Sequence, residues 1–253
     1  MASVARDVLG EGISALGVEP GHEQALSEYL ALLKKWNKPF NLTAVRSEQD
    51  MVVKHLLDSL SVTPYLATVK RVCDVGTGAG LPGIPLAIYF PDTQFVLLDS
   101  NGKKTRFLEQ VKNHLGLSNV DIVQDRVEHF QPKALFDVVI SRAFADLNRM
   151  CRVTRHLLTE EGFWFAMKSQ TAEGRLGKLD HPRVQLGADE VRHAVEARVG
   201  SVIVGEKLLE SSIEERQPLA AEGLRVAHRP PRGEHQPLHR IVVGVASDAG
   251  EKC

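Results

Sequence analysis

The chain has 253 residues, of which 43% are hydrophobic and 25% charged, and its formal net charge is −1. These values exclude a chain that is disordered as a whole, and they fit one large domain or one domain with an appendage. Because the protein has no overall positive field, any binding to a polyanion must come from local basic patches.

Signals for membranes and metals are missing from the sequence. The N-terminal stretch MASVARDVLG has no apolar signal core, and no run approaches the roughly 18 apolar residues that span a membrane. The three cysteines, Cys73, Cys151 and Cys253, are an odd number without metal-ligand spacing. We therefore expect a cytoplasmic protein in a reducing compartment that binds neither a membrane nor a metal.

The first 68 residues have the apolar spacing of helices. Apolar side chains recur three or four positions apart in two series: Ala25, Tyr29, Leu32 and Trp36, and then Val53, Leu56, Leu57 and Leu60. Between them, NKPFNLTAV interrupts the pattern, because Pro39 disfavours helix before it and Asn41 and Thr43 suit turns or caps. We expect a helical N-terminal extension over residues 1–68.

From residue 69 onwards, short apolar runs alternate with helical segments. The runs that predict strands are Arg71–Val75, Gln94–Leu98, Val120–Val123, Phe136–Ile140 and Gly162–Met167. Residues 101–116, between two of these runs, have helical spacing and end at Gly116. The alternation predicts an α/β fold with a doubly wound, Rossmann-like sheet over residues 69–253. Residues 198–205 and 239–247 predict further strands.

The stretch DVGTGAGLPG, Asp74–Gly83, follows the first predicted strand. Residues 78–83 match the G-x-G-x-x-G pattern of dinucleotide-binding turns, and Asp99 ends the next apolar run, where an acid would accept from a ribose hydroxyl. S-adenosylmethionine needs the same close backbone approach and an acid just before the first glycine, and Asp74 is there. The short chain left after residue 170 for a substrate domain disfavours a dehydrogenase.

Six sequence blocks in one order carry a more specific signal. They are WNKPFNLTAV, HLLDSL, DVGTGAGLPGIPLAI, LLDSNGKKTRFL, QDRVE and FDVVISRAFADL, in a match that runs from about Trp36 to Lys168. Together they resemble the bacterial ribosomal RNA small-subunit methyltransferase G family, once called glucose-inhibited division protein B. The resemblance implies transfer of a methyl group from S-adenosylmethionine to N7 of one guanine in 16S ribosomal RNA. We expect a monomer whose partner is this RNA or the small ribosomal subunit.

The resemblance also assigns site residues. It gives cofactor contacts to Asp74, Gly76, Gly78, Gly80, Leu81, Asp99, Val127, Glu128 and Arg142. In this assignment Asp74 orients the turn or meets the ammonium group, and Asp99 accepts from the ribose hydroxyls. Catalytic roles are expected for Arg142 and Lys168, as donors to guanine O6, and for His55, close to the cofactor pocket. RNA contacts are expected from Asn41, Lys34, Lys35 and Arg46.

The implied chemistry asks little of acids and bases. Guanine N7 has a lone pair and no proton, so it can attack the sulfonium methyl group without a general base, and catalysis rests on positioning and on exclusion of water. We expect a nearly flat pH profile, with a step only if His55 titrates near its ordinary pKa of about 6.5.

Other enzyme classes leave no matching signal. The chain lacks the Asn-Pro-Pro-Tyr-like block of exocyclic amine methyltransferases, and it has no cysteine placed for carbon-5 pyrimidine methylation. The complete cofactor turn disfavours a non-catalytic RNA-binding protein. A small-molecule methyltransferase that uses S-adenosylmethionine remains the alternative.

Overall fold

The computed structural model describes residues 3–142, 146–169 and 240–246. In this part of the chain, parallel strands form one sheet in the order β3, β2, β1, β4, β5, β6. The strands are β1 Arg71–Val75, β2 Gln94–Leu98, β3 Val120–Val123, β4 Phe136–Ser141, β5 Leu158–Ser169 and β6 Arg240–Ala246. The predicted fold class is confirmed. Because the strand order reverses between β1 and β4, their carboxyl ends flank the position where doubly wound sheets bind ligands.

The helices that follow the first strands begin and end at local sequence signals. They are α5 Gly83–Tyr89, α6 Gly102–Leu115 and α7 Leu147–Thr154. At the start of α6 the side chain of Asn101 accepts a hydrogen bond from the Lys103 N–H at 2.9 Å, and at its end Gly116 has a φ of 65°. The helix predicted over residues 101–116 is confirmed.

The N-terminal segment is helical and shares its core with the sheet. It comprises α1 Ser3–Leu16, α2 Glu23–Phe40, α3 Glu48–Met51, a π-turn Val52–Leu57 and α4 Asp58–Leu60. Leu30 and Leu56 of these helices belong to the same hydrophobic cluster as Val72 and Phe95 of the sheet. A common core fixes the helices against the strands. The domain boundary after residue 68 remains a prediction.

The break predicted at Pro39 is wrong. Helix α2 continues through Pro39 to Phe40, and Asn41 follows in the left-handed region with a φ of 50°. Pro39 has no N–H to donate to the carbonyl of Lys35, but both residues are exposed, so solvent can satisfy that carbonyl. The buried face of α2, which includes Leu33, outweighs the loss of one hydrogen bond.

The start predicted for β5 is also wrong. The strand begins at Leu158, not at Gly162, because its pairing with β4 is irregular. Phe136 pairs with Leu158, and Val138 pairs with Phe163. A step of two residues in β4 therefore corresponds to a step of five residues in β5. The polar residues Thr159, Glu160 and Glu161 lie in this irregular part of the strand, so the apolar run on which the prediction depended begins only at Gly162.

Two late strands were predicted, and one of them falls within the described residues. Residues 240–246 of the predicted run 239–247 form β6, whereas residues 198–205 lie outside the described part of the chain. Within residues 3–142, 146–169 and 240–246, no helix is long and apolar enough to cross a bilayer. In the same residues, no group of three or more His, Cys, Asp or Glu side chains is arranged to hold a metal ion.

Candidate active site

A glycine-rich loop connects β1 to α5 at the carboxyl edge of the sheet. Gly76, Gly78 and Gly80 have φ angles of 71°, 62° and 89°, which side chains with a Cβ rarely adopt. The N–H groups of Gly76 and Thr77 both donate to the carbonyl of Leu98 at the end of β2, at 2.8 and 3.2 Å. The loop is therefore a defined backbone structure tied to β2.

Two glycines of this loop have different surroundings. A Cβ at Gly80 would lie 2.5 Å from Ile84 Cγ1 and 2.7 Å from Leu108 Cδ2, so Gly80 packs tightly against α5 and α6. A Cβ at Gly78 would meet no described atom closer than 3.9 Å. Gly76 is exposed and Gly78 is half-buried. This face of the loop therefore offers bare backbone to a ligand.

Asp74 stabilises the glycine-rich loop from its buried side. Its carboxylate is fully buried, and Oδ2 accepts hydrogen bonds from Thr77 Oγ1 at 2.7 Å and from the Gly83 N–H at 2.9 Å. Its Oδ1 is buried without a hydrogen-bond partner among the described residues. Burial raises the pKa of Asp74 to about 6, although the two hydrogen bonds oppose the shift. These contacts match the predicted role of orienting the turn.

Asp99 follows β2 and fixes the rim of the loop. Its Oδ2 accepts from the Gly78 N–H at 3.0 Å and lies 3.3 Å from Lys104 Nζ, while Oδ1 accepts from the Asn101 N–H at 2.9 Å. A carboxylate offers about four lone-pair directions, so Asp99 has capacity for a further donor. The residue is largely buried, and its position is set by backbone groups as well as by Lys104.

The remaining predicted cofactor residues differ in exposure. Val127 is half-buried and Glu128 is exposed, and both lie in a turn after β3, beside the end of β2. Leu81 is buried in the hydrophobic core, and its N–H donates to the Thr77 carbonyl at 3.0 Å. The side chain of Leu81 thus supports the loop from the protein side.

Arg142 comes directly after β4 and is held by the N-terminal helices. Its Nη1 donates to Asp58 Oδ2 at 3.1 Å and to the Lys54 carbonyl at 2.9 Å. The Asp58 N–H donates to the carbonyls of Val53 and His55, so the π-turn leaves the Lys54 carbonyl to accept from Arg142 instead of from Asp58. A guanidinium has five N–H donors, and these bonds engage Nη1. Arg142 can be held and still donate to a ligand.

His55 lies in the same π-turn, buried between the helices and the preceding loop. Its Nε2 is 2.9 Å from Thr43 Oγ1, and its Nδ1 is buried without a hydrogen-bond partner among the described residues. Burial, and after it the positive charge of Arg142, lower the pKa of His55 to about 4. His55 is therefore neutral at physiological pH, and the sequence-based possibility of a titration near 6.5 is not supported.

Tyr29 contacts the loop, and sequence reasoning missed this role. Its buried hydroxyl donates to the Ala79 carbonyl at 2.7 Å across 50 positions of sequence. Burial raises the pKa of Tyr29, so the hydroxyl stays protonated and remains a donor. The sequence placed Tyr29 on the apolar stripe of a helix. The available signal was that a buried tyrosine hydroxyl usually has a hydrogen-bond partner.

The predicted RNA-contacting residues lie at the end of α2 and in the loop after it. Lys35, Asn41 and Arg46 are exposed, and the Arg46 guanidinium donates to Asn41 Oδ1. Lys34 is half-buried and forms an ion pair with Glu48. Lys35 and Arg46 are therefore the better placed of the three cations for contact with phosphate.

Lys168 lies near the carboxyl end of β5, where it pairs with Val245 of β6. Since β5 is parallel to β4 and β4 to β1, Lys168 shares a sheet edge with Asp74 and Arg142. The sheet therefore brings together the predicted site residues that end its strands.

Comparison with known proteins identifies the family. A family model described as rRNA small subunit methyltransferase G matches residues 22–196, more than half of the chain. The chain belongs to the rRNA small subunit methyltransferase G family. A relative of that name from Hydrogenovibrio crunogenus is 56% identical over 163 residues, which cover 63% of this chain and 75% of the relative. Another, from Pseudomonas aeruginosa, is 47% identical over 201 residues, 79% of this chain and 89% of the relative.

Membership of the methyltransferase G family confirms the predicted enzyme class and the predicted methyl donor, S-adenosylmethionine. The described residues fit this donor. Gly78 leaves space for a ligand against bare backbone, and Asp99 presents a fixed carboxylate at the rim of that space. The buried Asp74 Oδ1 adds negative charge behind the loop, which suits a positively charged ligand.

Proposed function

We propose that this methyltransferase moves a methyl group from S-adenosylmethionine to N7 of a guanine in 16S ribosomal RNA. The observation that carries the proposal is the open loop face at Gly78, with the Asp99 carboxylate fixed beside it and Arg142 on the same sheet edge. The name shared by the relatives points to small-subunit ribosomal RNA as the acceptor. When bound, S-adenosylmethionine supplies an electrophilic methyl group on a sulfonium centre.

In this proposal the residues after β2 and β3 bind the nucleoside part of the donor, and the glycine-rich loop binds its methionine part. Asp99 accepts from the ribose hydroxyls, and the turn with Val127 and Glu128 borders the adenine. The backbone of Gly76, Gly78 and Gly80 approaches the methionine part, with Leu81 supporting the loop from the core. Asp74 acts through the loop, because its carboxylate is fully buried and bonded to Thr77 and Gly83.

Arg142 and Lys168 orient the guanine in this proposal. N7 has no proton to lose, so the residues near it need only position the base and exclude water. Arg142 is anchored by Asp58 and by the Lys54 carbonyl, which leaves further N–H donors to meet guanine O6, and Lys168 shares that edge of the sheet. His55 contributes as a neutral group packed against Thr43, not as a base.

The RNA contacts extend from the site over the end of α2. Lys35 and Arg46 contact phosphate, Asn41 shapes the turn between them, and Lys34 adds charge while paired with Glu48. We place the enzyme in the cytoplasm as a monomer that meets the RNA alone or within the small subunit. Residues 1–68 form the helical extension, and residues 69–253 form the methyltransferase domain.

The proposal is tested by supplying labelled S-adenosylmethionine with three separate acceptors. These are small ribosomal subunits that lack the modification, naked 16S RNA from the same particles, and a mixture of free nucleosides and small amines. We expect label in RNA from the first or second reaction. Label in small molecules alone would contradict the proposal and favour a small-molecule methyltransferase.

Two aspartate variants control this experiment. Asp99→Ala loses a charge-assisted acceptor and should weaken cofactor binding by about 1.5 to 3 kcal/mol, so that transfer requires more S-adenosylmethionine. Asp92→Ala removes an exposed carboxylate near the amino end of β2, away from the site. Transfer by Asp92→Ala should match that of the parent enzyme.

A further inference from the structure

Helix α2 ends in an aromatic pair, exposed Phe40 and half-buried Trp36, that the proposed cofactor and guanine contacts do not use. The ring of Phe40 stacks on that of Trp36, with centroids 5.2 Å apart and an interplanar angle of 26°. Phe40 is 39% exposed, and among the described residues it is the only aromatic one in the set of exposed large hydrophobic side chains, with Val4 and Leu135. A single exposed apolar side chain is common on a protein surface, so the informative feature is the stacking of this ring on a second one.

The charge around this pair is positive. Between Glu28 and Glu48 the chain contains no acidic residue and four basic ones, although the whole chain has a net charge of −1. The four are Lys34, Lys35, Lys38 and Arg46. Of these, Lys35, Lys38 and Arg46 are exposed. The aromatic pair thus lies within a local cationic stretch that would attract a polyanion.

The pair is firmly supported by the rest of the structure. The Trp36 ring also lies 5.8 Å from Phe107 of α6, in a tilted arrangement. The next residue of α6, Leu108, is one of the two side chains that would collide with a Cβ at Gly80 of the cofactor loop. Phe40 therefore lies on a helix that packs against α6, and α6 in turn packs against the cofactor loop.

We propose that Phe40, backed by Trp36, is a stacking surface for an unpaired base of the RNA substrate, with Lys35, Lys38 and Arg46 contacting its phosphates. The inference rests on the proposed function, since it assumes that RNA is the acceptor. Single-stranded nucleic acid is bound by this combination of aromatic faces and cations. A protein partner is disfavoured, because a stable protein interface needs a larger buried area with fewer charges at its centre than one ring among lysines provides.

The test compares RNA affinity among point variants of the full chain at fixed ionic strength, by filter binding. Phe40→Leu keeps an apolar contact with Trp36 but removes the ring, and we expect RNA affinity to fall by about 5-fold to 150-fold, as for one lost base stack. Phe40→Tyr should retain most of the affinity. Leu135→Ala, which changes another exposed apolar residue, is the matched control and should bind RNA like the parent.

Salt dependence separates stacking from charge. The slope of log Kd against log salt should be unchanged in Phe40→Leu, whereas Lys35→Gln should lower it by about 0.7 for one lost phosphate contact. Affinity for S-adenosylmethionine, measured by calorimetry, should be unchanged in Phe40→Leu. The proposal would be overturned if the affinity for S-adenosylmethionine fell by the same factor as the RNA affinity, or if the free energy of unfolding fell by as much as the free energy of RNA binding. Phe40 would then be a structural residue.

The outcomes also distinguish this inference from the proposed function. If the parent methylates ribosomal RNA and Phe40→Leu binds that RNA with parental affinity, the stacking proposal is wrong and the proposed function stands. If the parent methylates only small molecules, both are wrong.

Discussion

The hydroxyl of Tyr29 in helix α2 donates to the carbonyl of Ala79 in the glycine-rich loop at 2.7 Å, and both residues are buried. The N-terminal helical extension is therefore hydrogen-bonded to the backbone that faces the cofactor. Arg142 makes a second connection, through Asp58 and the Lys54 carbonyl. The extension thus supports the site on two sides.

Removing the Tyr29 hydroxyl should loosen this loop. We expect Tyr29→Phe to cost about 0.5 to 1.5 kcal/mol and to raise the Kd for S-adenosylmethionine by about 2-fold to 10-fold, because the Ala79 carbonyl loses its donor. Tyr89→Phe is the control, since the Tyr89 hydroxyl is buried without a hydrogen-bond partner among the described residues. Calorimetric titration of both variants checks this. Equal cofactor affinities for the two variants would show that the Tyr29 bond does not shape the loop.

Substitution of two glycines of the loop by alanine should affect two different properties, the stability of the fold and the affinity for the cofactor. Gly80→Ala should mainly destabilise the fold, because its Cβ would collide with Ile84 and Leu108. Gly78→Ala should cost the fold only the strain of its positive φ, about 1 to 2 kcal/mol, and should mainly weaken cofactor binding. Thermal unfolding and calorimetric titration measure the two effects separately. A Gly78→Ala variant that binds S-adenosylmethionine like the parent would mean that the cofactor does not approach this face.

Arg142 has a structural and a chemical role that a double variant can separate. Arg142→Ala leaves the buried Asp58 carboxylate unpaired, which should cost about 3 to 5 kcal/mol of stability. Adding Asp58→Asn should restore most of that stability, because the buried charge is gone. We expect methyl transfer to remain depressed in the double variant. Recovery of transfer together with stability would reduce Arg142 to a structural partner of Asp58.

Asp74 should make the fold less stable as pH rises through its folded pKa. Burial raises that pKa from 3.8 to about 6, so between these values the folded state holds a proton that the unfolded state has released. Stability then falls with rising pH in that window. In Asp74→Asn this fall should be absent, because the amide cannot ionise and its oxygen can accept from Thr77 and Gly83. Urea unfolding of parent and variant from pH 4 to 7 tests this, and parallel curves would contradict the raised pKa.

His55 should act in the opposite direction. Its folded pKa of about 4 lies below the ordinary 6.5, so between these values the unfolded state binds the additional proton and stability falls as pH falls. His55→Gln should lack that acid-side loss. Because His55 stays neutral above pH 5, single-turnover transfer at saturating RNA should be nearly flat from about pH 6.5 to 9. A step near pH 6.5 that disappears in His55→Gln would show that the histidine titrates normally.

Local signals in the sequence were sufficient for much of the fold. The bounds of β1 and β2 follow from short apolar runs, and α6 follows from its helical spacing and the stop at Gly116. The predicted break at Pro39 failed because the packed face of α2 outweighs one missing hydrogen bond. Tertiary packing overrode a local preference there.

The site was less predictable than the fold. The position of Asp99 after β2 was predictable from the apolar run that it follows, but its contacts with Gly78 and Lys104 depend on how the loop folds. The Tyr29 contact with Ala79 joins residues 50 apart, and no local pattern encodes it. Burial of His55 follows from packing of the π-turn, which apolar spacing does not distinguish from an ordinary helix.

The central claim is that N7 of a guanine in 16S ribosomal RNA accepts the methyl group. The most direct measurement digests RNA labelled by this enzyme to nucleosides and separates them, with the labelled site mapped by chain cleavage at 7-methylguanosine. The account predicts that the label elutes as 7-methylguanosine and maps to one guanine of the 16S RNA. Label on an exocyclic amine, on carbon 5 of a pyrimidine or on a ribose hydroxyl would contradict it.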